Sequence, residues 1–524
     1  MPPSGSNSPT PEMGAVMNLQ KKRVSCSGLG RHASPLAALL IFTGIHLTGC
    51  NPALAPTVDD ALREVLAKEG FTGTVESTLE ARLGRPLDPA KVEVGRMLFF
   101  DNVLGLHSDN SCAGCHSPAF GFGDSQPIAI GVDNNGVVGP GRTGPRNQRR
   151  SPFVANSEFY PALMWTSRFT AVSGDPFDNT GGFKFPLPED VIISAQTLLQ
   201  AQGSLPSTEL VEMAGFNGIT GNRGPTTERH EQFDNDQGDE LPAADETGFH
   251  NFPIQDAVDA RLNAIEEYRN LFGDAFNNGE PLPVGGITID MRRVAIAEFQ
   301  TSLAGADAPI DRYARGDNGA MTDAQKRGAL LFFGDAGCVS CHAVAGQANE
   351  MFSDFALHRI AGPQVFPEFG VGKSNVIYDG DGENEDIGEQ QTSGNVENRY
   401  MFRTGPLRNL AVAPRFFHNG AYGTIRAAIE HHLDVVNAAT NYDPVLHGLP
   451  SDLSVGPIDP VLAAGIDPLV AVPYALSEDE LNDLTAFVSE ALLDERVLDF
   501  CDLVPATVPS GMPVATFEGC GDEQ

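Results

Sequence analysis

The stretch SCAGCHSPAFGFGD, Ser111 to Asp124, sets two cysteines two residues apart with a histidine directly behind the second, and CVSCHAV, Cys338 to Val344, repeats the pattern. A zinc site of this kind needs four ligands, usually from two such hairpins, and a thioredoxin-type dithiol does not require the histidine. In Cys-x-x-Cys-His the cysteines bond to the two vinyl groups of haem, and the adjacent imidazole reaches the iron from one face. Two copies therefore predict two covalently bound haem c groups, on Cys112, Cys115, His116 and on Cys338, Cys341, His342, with His116 and His342 as proximal ligands.

The flanking sequence repeats as well. VEVGRMLFFDNVLG, Val92 to Gly105, precedes the first motif, and KRGALLFFGDAGCVSCH, Lys326 to His342, contains the second. Each joins a helical segment ending in Leu/Met-Phe-Phe to a loop and the cysteine motif, the mark of a tandem duplication. Thr322, followed by Asp323 and Gln325, suits a helix start. Asp256 to Phe276 reads as one helix, Asp290 to Leu303 as another, and Ser477 to Leu493 as a third, capped by Ser477 with Glu480 three positions on. Residues 170–250 are rich in Gly, Pro, Asn, Asp and Glu, a long insertion, and a second acidic loop runs from Asp379 to Gly394. The expected fold is mainly α: two tandem cytochrome c-like haem domains with long loops, 50–300 and 301–500, and a tail at 501–524.

The first 49 residues read as an export signal. Lys21, Lys22, Arg23 and Arg31 precede an apolar run, Pro35 to Leu47, too short for a permanent membrane span. The run ends in Leu47-Thr48-Gly49-Cys50, which resembles a bacterial lipobox, so Cys50 is expected to carry lipid and become the mature N-terminus. Asn51 is not an inner-membrane retention aspartate; the expected location is periplasmic, anchored to the outer membrane. Translation can also begin at Met17. The chain has a net charge of −35, and removing four basic and one acidic side chain with the signal takes it to −38. Such a surface excludes nucleic acid and attracts basic partners. Of eight cysteines, Cys26 and Cys50 fall in the signal and four in the haem motifs, which leaves Cys501 and Cys520 able to close a disulfide over the tail.

What a c-type haem does depends on its other face: two strong protein ligands favour electron transfer, and an open face admits peroxide or oxygen. The next histidine after His116 is His230. A sixth ligand from His230, His250 or a methionine is conceivable there, but an open face is the expectation.

FSDFALHRIAGPQ (Phe352 to Gln364), DIGEQQTSGNVENRYMFRTGPLRN (Asp386 to Asn409) and FRTGPLRNLAVAPRFFHNGAYGTIRAAIEHHLDVV (Phe402 to Val436) resemble the bacterial di-haem cytochrome c peroxidase and MauG family, over roughly residues 90 to 495. The resemblance implies roles. LMWTSRF puts Trp165, the single tryptophan, where the family has its inter-haem tryptophan, and Gln202, Pro206, Glu212 and Met213 keep the spacing of the family's distal residues. Glu212 would be the acid–base residue, moving a proton between the oxygens of hydrogen peroxide, and Gln202 would orient the peroxide. The family's sixth ligand to the second haem, methionine or tyrosine, lies fourteen residues after the histidine of FFHNG. From His418 that count lands on His432, itself a good axial ligand, while His431 points about 100° away on the same helix. The family's calcium site departs from pattern, with Arg150 in place of an asparagine and Ala413 in place of a threonine, so calcium is not expected. Three readings follow: a peroxidase fed through its C-terminal haem by a cytochrome c or cupredoxin, a MauG-like enzyme oxidising residues of a partner protein, or an electron-transfer cytochrome with both irons closed.

Overall fold

A computed structural model describes residues 57–184, 194–203, 205–214, 252–368 and 385–521. The signal with Cys26 and Cys50, and the alternative sixth ligands His230 and His250, lie outside the described residues. The principal helices are α1 (Val58–Lys68), α2 (Pro89–Phe100), α3 (Phe252–Ala264), α4 (Glu266–Phe276), α5 (Ile289–Thr301), α6 (Asp323–Phe333), α7 (Ile425–Leu433) and α8 (Glu478–Ala486). Strands are two or three residues long and form small two- and three-stranded sheets, so the fold is mainly α as expected. No described helix is long and apolar enough to cross a membrane.

The duplication is visible in how the two leading helices pack. Asp88 caps α2, accepting from the Ala90 and Lys91 amides with Pro89 at the first helical position. Thr322 and Gln325 close a capping box on α6. Gly95 of α2 lies against α5 so closely that a Cβ would stand 2.0 Å from the Ala295 carbonyl oxygen, and Gly328 of α6 meets the Asp483 carbonyl of α8 at the same 2.0 Å. Both glycines open the Gly-x-x-Leu-Phe-Phe signature, so each half uses the missing side chain to bring two helix backbones together behind its haem motif. The paired phenylalanines fill the resulting cores: Phe99 and Phe100 meet Phe122 and Phe299, while Phe332 and Phe333 meet Phe352 and Phe487.

Three features differ from the sequence expectations. The helix expected over 256–276 is two helices, broken at extended Ile265, because the Asn263 side chain is drawn to Ile287, donating to its carbonyl and accepting from its amide. The helix expected through Leu493 gives way after Ala486 to a π-helical turn, Phe487–Ala491. The boundaries at 300 and 501 divide the chain but not its packing. Leu62, Leu66 and Phe71, at the N-terminal end, join the core of the second half with Phe332 and Phe487. The tail crosses the other way: β9 in chain order, Thr516–Phe517, pairs in parallel with Val137–Val138, Phe517 packs on Phe100, and Cys501 and Cys520 form a disulfide.

Candidate active site

Cys112 to Cys115 form a single helical turn that ends at His116. The chain then folds back through Gly121 and Phe122, both at positive φ, so that the Phe122 carbonyl accepts from His116 Nδ1 at 3.1 Å. Cys338 and Cys341 are set by a turn after Gly337 (φ +68), and His342 Nδ1 donates to the Phe352 carbonyl at 2.9 Å. Both imidazoles thus have Nδ1 tied to backbone and Nε2 left for a metal, the usual way a protein fixes the tautomer of a ligating histidine. Burial pushes both down to about 4, so they are neutral with a lone pair to give. Burial also holds the Cys112, Cys115 and Cys338 thiols protonated, up to about 12.

A cavity of about 170 Å³ collects the first set of expected residues: Cys112, Cys115, His116, Trp165, Gln202 and Glu212 all line it. Gln202 ends a short helix, Leu198–Gln202, started by the Thr197 hydroxyl, and Glu212 lies in the π-helical turn Leu210–Ala214. Asn110 holds that turn by donating to the Glu212 carbonyl at 2.8 Å. The Glu212 carboxyl is pushed up to about 8, first by burial and then by the neighbouring Glu209 carboxylate. Glu209 is ion-paired with Arg168. Among the described residues lining this cavity, His116 is the single imidazole, and Met164 and Met213 are the thioethers.

A second cavity of about 300 Å³ holds Cys338, Cys341, His342 and His432. His432 Nδ1 donates to the Ala428 carbonyl at 2.7 Å, one turn back on α7, again leaving Nε2 free. The His342 and His432 rings face each other with centroids 6.2 Å apart and planes at 63°. Two imidazoles that shared one metal ion would need about that spacing, given metal–nitrogen bonds of about 2 Å and roughly 1 Å from each nitrogen to its ring centre. His431 is excluded as a ligand because both nitrogens are used, Nδ1 accepting from the Tyr422 hydroxyl at 2.8 Å and Nε2 donating to the Ile360 carbonyl at 2.8 Å. The residues present therefore fit two haem c groups, one with a single imidazole and one with two.

Trp165 and the backbone of Arg150 to Pro152 line both cavities, and Trp165 Nε1 donates to the Arg150 carbonyl at 2.8 Å. The Arg150 guanidinium is buried and donates to the Asp124 carbonyl at 2.9 Å. An arginine has no acceptor to offer a cation, which weighs against calcium at this position.

Several residues here were not singled out from sequence. The Arg168–Glu209 pair forms across the cavity wall from segments 41 residues apart, and Gln300 of α5 turns a buried Oε1 without a hydrogen-bond partner toward the same space. His358 is clamped between Asp354 (3.0 Å) and Asp467 (2.6 Å); the bond to Asp354 first, then one to Cys341 and then that to Asp467 push it up to about 11. Cys341, Asp354 and His358 are close enough to share a metal ion, but Cys341 belongs to the haem motif and both nitrogens of His358 are taken.

Two Cys-x-x-Cys-His cavities that share a tryptophan, one of them also lined by an acid whose carboxyl is pushed up to about 8, hold the groups that a di-haem c-type oxidoreductase needs. The family model described as di-haem cytochrome c peroxidase matches residues 89–319 of this chain. It is 26% identical over 397 residues to the methylamine utilization protein MauG of Methylorubrum extorquens, covering 76% of this chain and 83% of that protein. It is 25% identical over 371 residues to the cytochrome c551 peroxidase of Pseudomonas aeruginosa, covering 71% and 79%. The diheme peroxidase BthA of Burkholderia thailandensis aligns with TM-score 0.49 at 18% identity, over 82% of this chain and 91% of that one.

Proposed function

We propose that this chain reduces hydrogen peroxide in the cavity of His116, Gln202 and Glu212, and draws electrons in through the half that holds His342 and His432. Haem c, when bound, supplies the redox chemistry that these side chains lack. The chain supplies position and protons. Glu212, with its carboxyl near 8, takes the proton from one peroxide oxygen and returns it to the other, so that water leaves rather than hydroxide. Gln202, which lines the same cavity, orients the peroxide, and Trp165, which lines both cavities, is the path for electrons.

The observation that carries this reading is the asymmetry: one imidazole and a half-buried acid in the first cavity, two opposed imidazoles in the second. The electron donor is a small redox protein, a cytochrome c or cupredoxin, and the acidic chain favours a basic one. Exposed Leu469 and Val472 at the rim of the second cavity suit such a contact. A MauG-like role, in which the oxidising equivalents go to residues of a partner protein, is the second reading, favoured by the likeness to the MauG relatives. Signal cleavage and lipidation at Cys50 would place the protein in the periplasm on the outer membrane, which mass spectrometry of the mature N-terminus tests directly.

The deciding experiment is EPR of the diferric holoprotein before and after peroxide. One high-spin and one low-spin signal, both lost rapidly on peroxide, are expected. Two low-spin signals indifferent to peroxide would refute an open catalytic haem.

A further inference from the structure

Behind His432 the structure assembles an aromatic column that the haem sites do not use. The Phe417 ring lies 5.5 Å from His432 and 5.0 Å from Tyr422, centroid to centroid. Tyr422 in turn lies 5.6 Å from Tyr442 and 4.7 Å from His447, and these last two stack at 5.2 Å with planes 11° apart. Tyr422 is buried, whereas Tyr442 and His447 are half-exposed, so the column runs from the second cavity to the surface. It ends beside Val445 and Leu446, which are 84% and 78% exposed. The Tyr422 hydroxyl donates to His431 Nδ1 at 2.8 Å, and that ring is fixed by its bond to Ile360.

We propose that Tyr422 is a redox-active residue, the resting place of an oxidising equivalent between the second haem site and the surface at Tyr442. The proposal rests on the peroxidase reading, whose oxidant, hydrogen peroxide, supplies the equivalent. In the step, Tyr422 loses one electron toward the second haem site and passes its phenolic proton to His431 Nδ1, leaving a neutral tyrosyl radical and an imidazolium. One electron from an outside donor, delivered across the Tyr442–His447 layer, restores the phenol as the proton returns. Tyr422 is buried, and its hydrogen bond to His431 gives the phenolic proton a partner inside the fold. Phe417 packs against His432, Tyr422 and His431 alike and keeps the path continuous.

The test is freeze-quench EPR of the holoprotein after one equivalent of peroxide, with and without ring-deuterated tyrosine. A radical signal narrowed by the label in the wild type, lost in Tyr422→Phe while both haem signals still respond, is the expected result. Phenylalanine keeps the ring packing and removes the hydroxyl. A labelled tyrosine signal that persists unchanged in Tyr422→Phe, or no tyrosine signal while the haems respond, overturns the relay and leaves the peroxidase reading standing. Haem signals that ignore peroxide overturn both. Should Tyr422→Phe fail to fold, a nitroso spin trap on the wild type decides: adducts on the Tyr422 or Tyr442 peptides support the relay, and adducts confined to other peptides overturn it.

Discussion

Replacing Glu212 by glutamine keeps the size of the side chain and removes its proton chemistry. Glu212 lines the first cavity, and its carboxyl is pushed up to about 8 by burial and by the Glu209 carboxylate. An acid–base group placed this way contributes roughly 10²–10⁴ in rate. Glu212→Gln should therefore lower kcat/KM for peroxide by that factor, about 3–5 kcal/mol of barrier at ~1.36 kcal/mol per tenfold. The pH dependence sharpens the test. The carboxylate must be ionised to take the first proton, so wild-type kcat/KM should rise with pH through about 8, and that limb should vanish in Glu212→Gln. Glu209→Gln removes the second cause of the upward push and should move the limb to lower pH. The assay is stopped-flow peroxide consumption by the holoprotein across pH, with haem loading and resting spectra verified for each variant. A Glu212→Gln enzyme within about threefold of wild type, or one that keeps the limb, would refute the assignment of proton transfer to this residue.

The same carboxyl also links stability to pH: its folded-state proton affinity is raised, so the folded state is penalised as pH climbs from the ordinary carboxylate range through about 8. Thermal melts should show Glu212→Gln gaining on wild type as pH rises and matching it at low pH. His432→Ala should turn the low-spin second haem high-spin, whereas His431→Gln should leave its axial ligation intact, as EPR of the diferric protein reads. Gly328→Ala drives a methyl into the Asp483 carbonyl and should cost about 1–3 kcal/mol or more in denaturant melts, with loss of haem at the second motif. Serine at both Cys501 and Cys520 opens a tail loop whose ends are 19 residues apart, and should cost about 3 kcal/mol, seen as a lower midpoint of unfolding.

The local features of this fold were legible because local chemistry sets them. The Cys-x-x-Cys-His motifs stand out by themselves, Thr322 and Ser477 cap helices through contacts within one turn, and His432, reached by the family's count from His418, lies on α7 and lines the second cavity. The choice between His431 and His432 also came from helical geometry, and the structure supplies the reason in the Tyr422 and Ile360 bonds. What was illegible depends on long-range contact. Ile265 breaks a helix because Asn263 finds Ile287, and no helix propensity reports that. The crossing of the two chain ends depends on cores built from residues hundreds of positions apart, such as Phe71 with Phe352 and Phe517 with Phe100. Arg168 and Glu209 look like ordinary surface charges until the fold places them on a cavity wall.

The duplication explains why one scaffold serves two sites of unlike chemistry. Each half holds its proximal imidazole in the same way: a glycine at a close helix crossing, a Phe-Phe pair in the core, and an Nδ1 hydrogen bond to a phenylalanine carbonyl ten residues or fewer along. Those supports are shared by the halves, so they do not account for the difference, which shows in what each half brings to the opposite face. In the first half it is the turn that carries Glu212, which delivers a half-buried acid and no imidazole among its described residues. In the second it is α7, which delivers His432 with its ring 6.2 Å from that of His342. Because the shared supports lie on one side of each cavity and the differing residues on the other, the sequence can change what faces each proximal imidazole without touching the glycine crossing or the Phe-Phe core behind it.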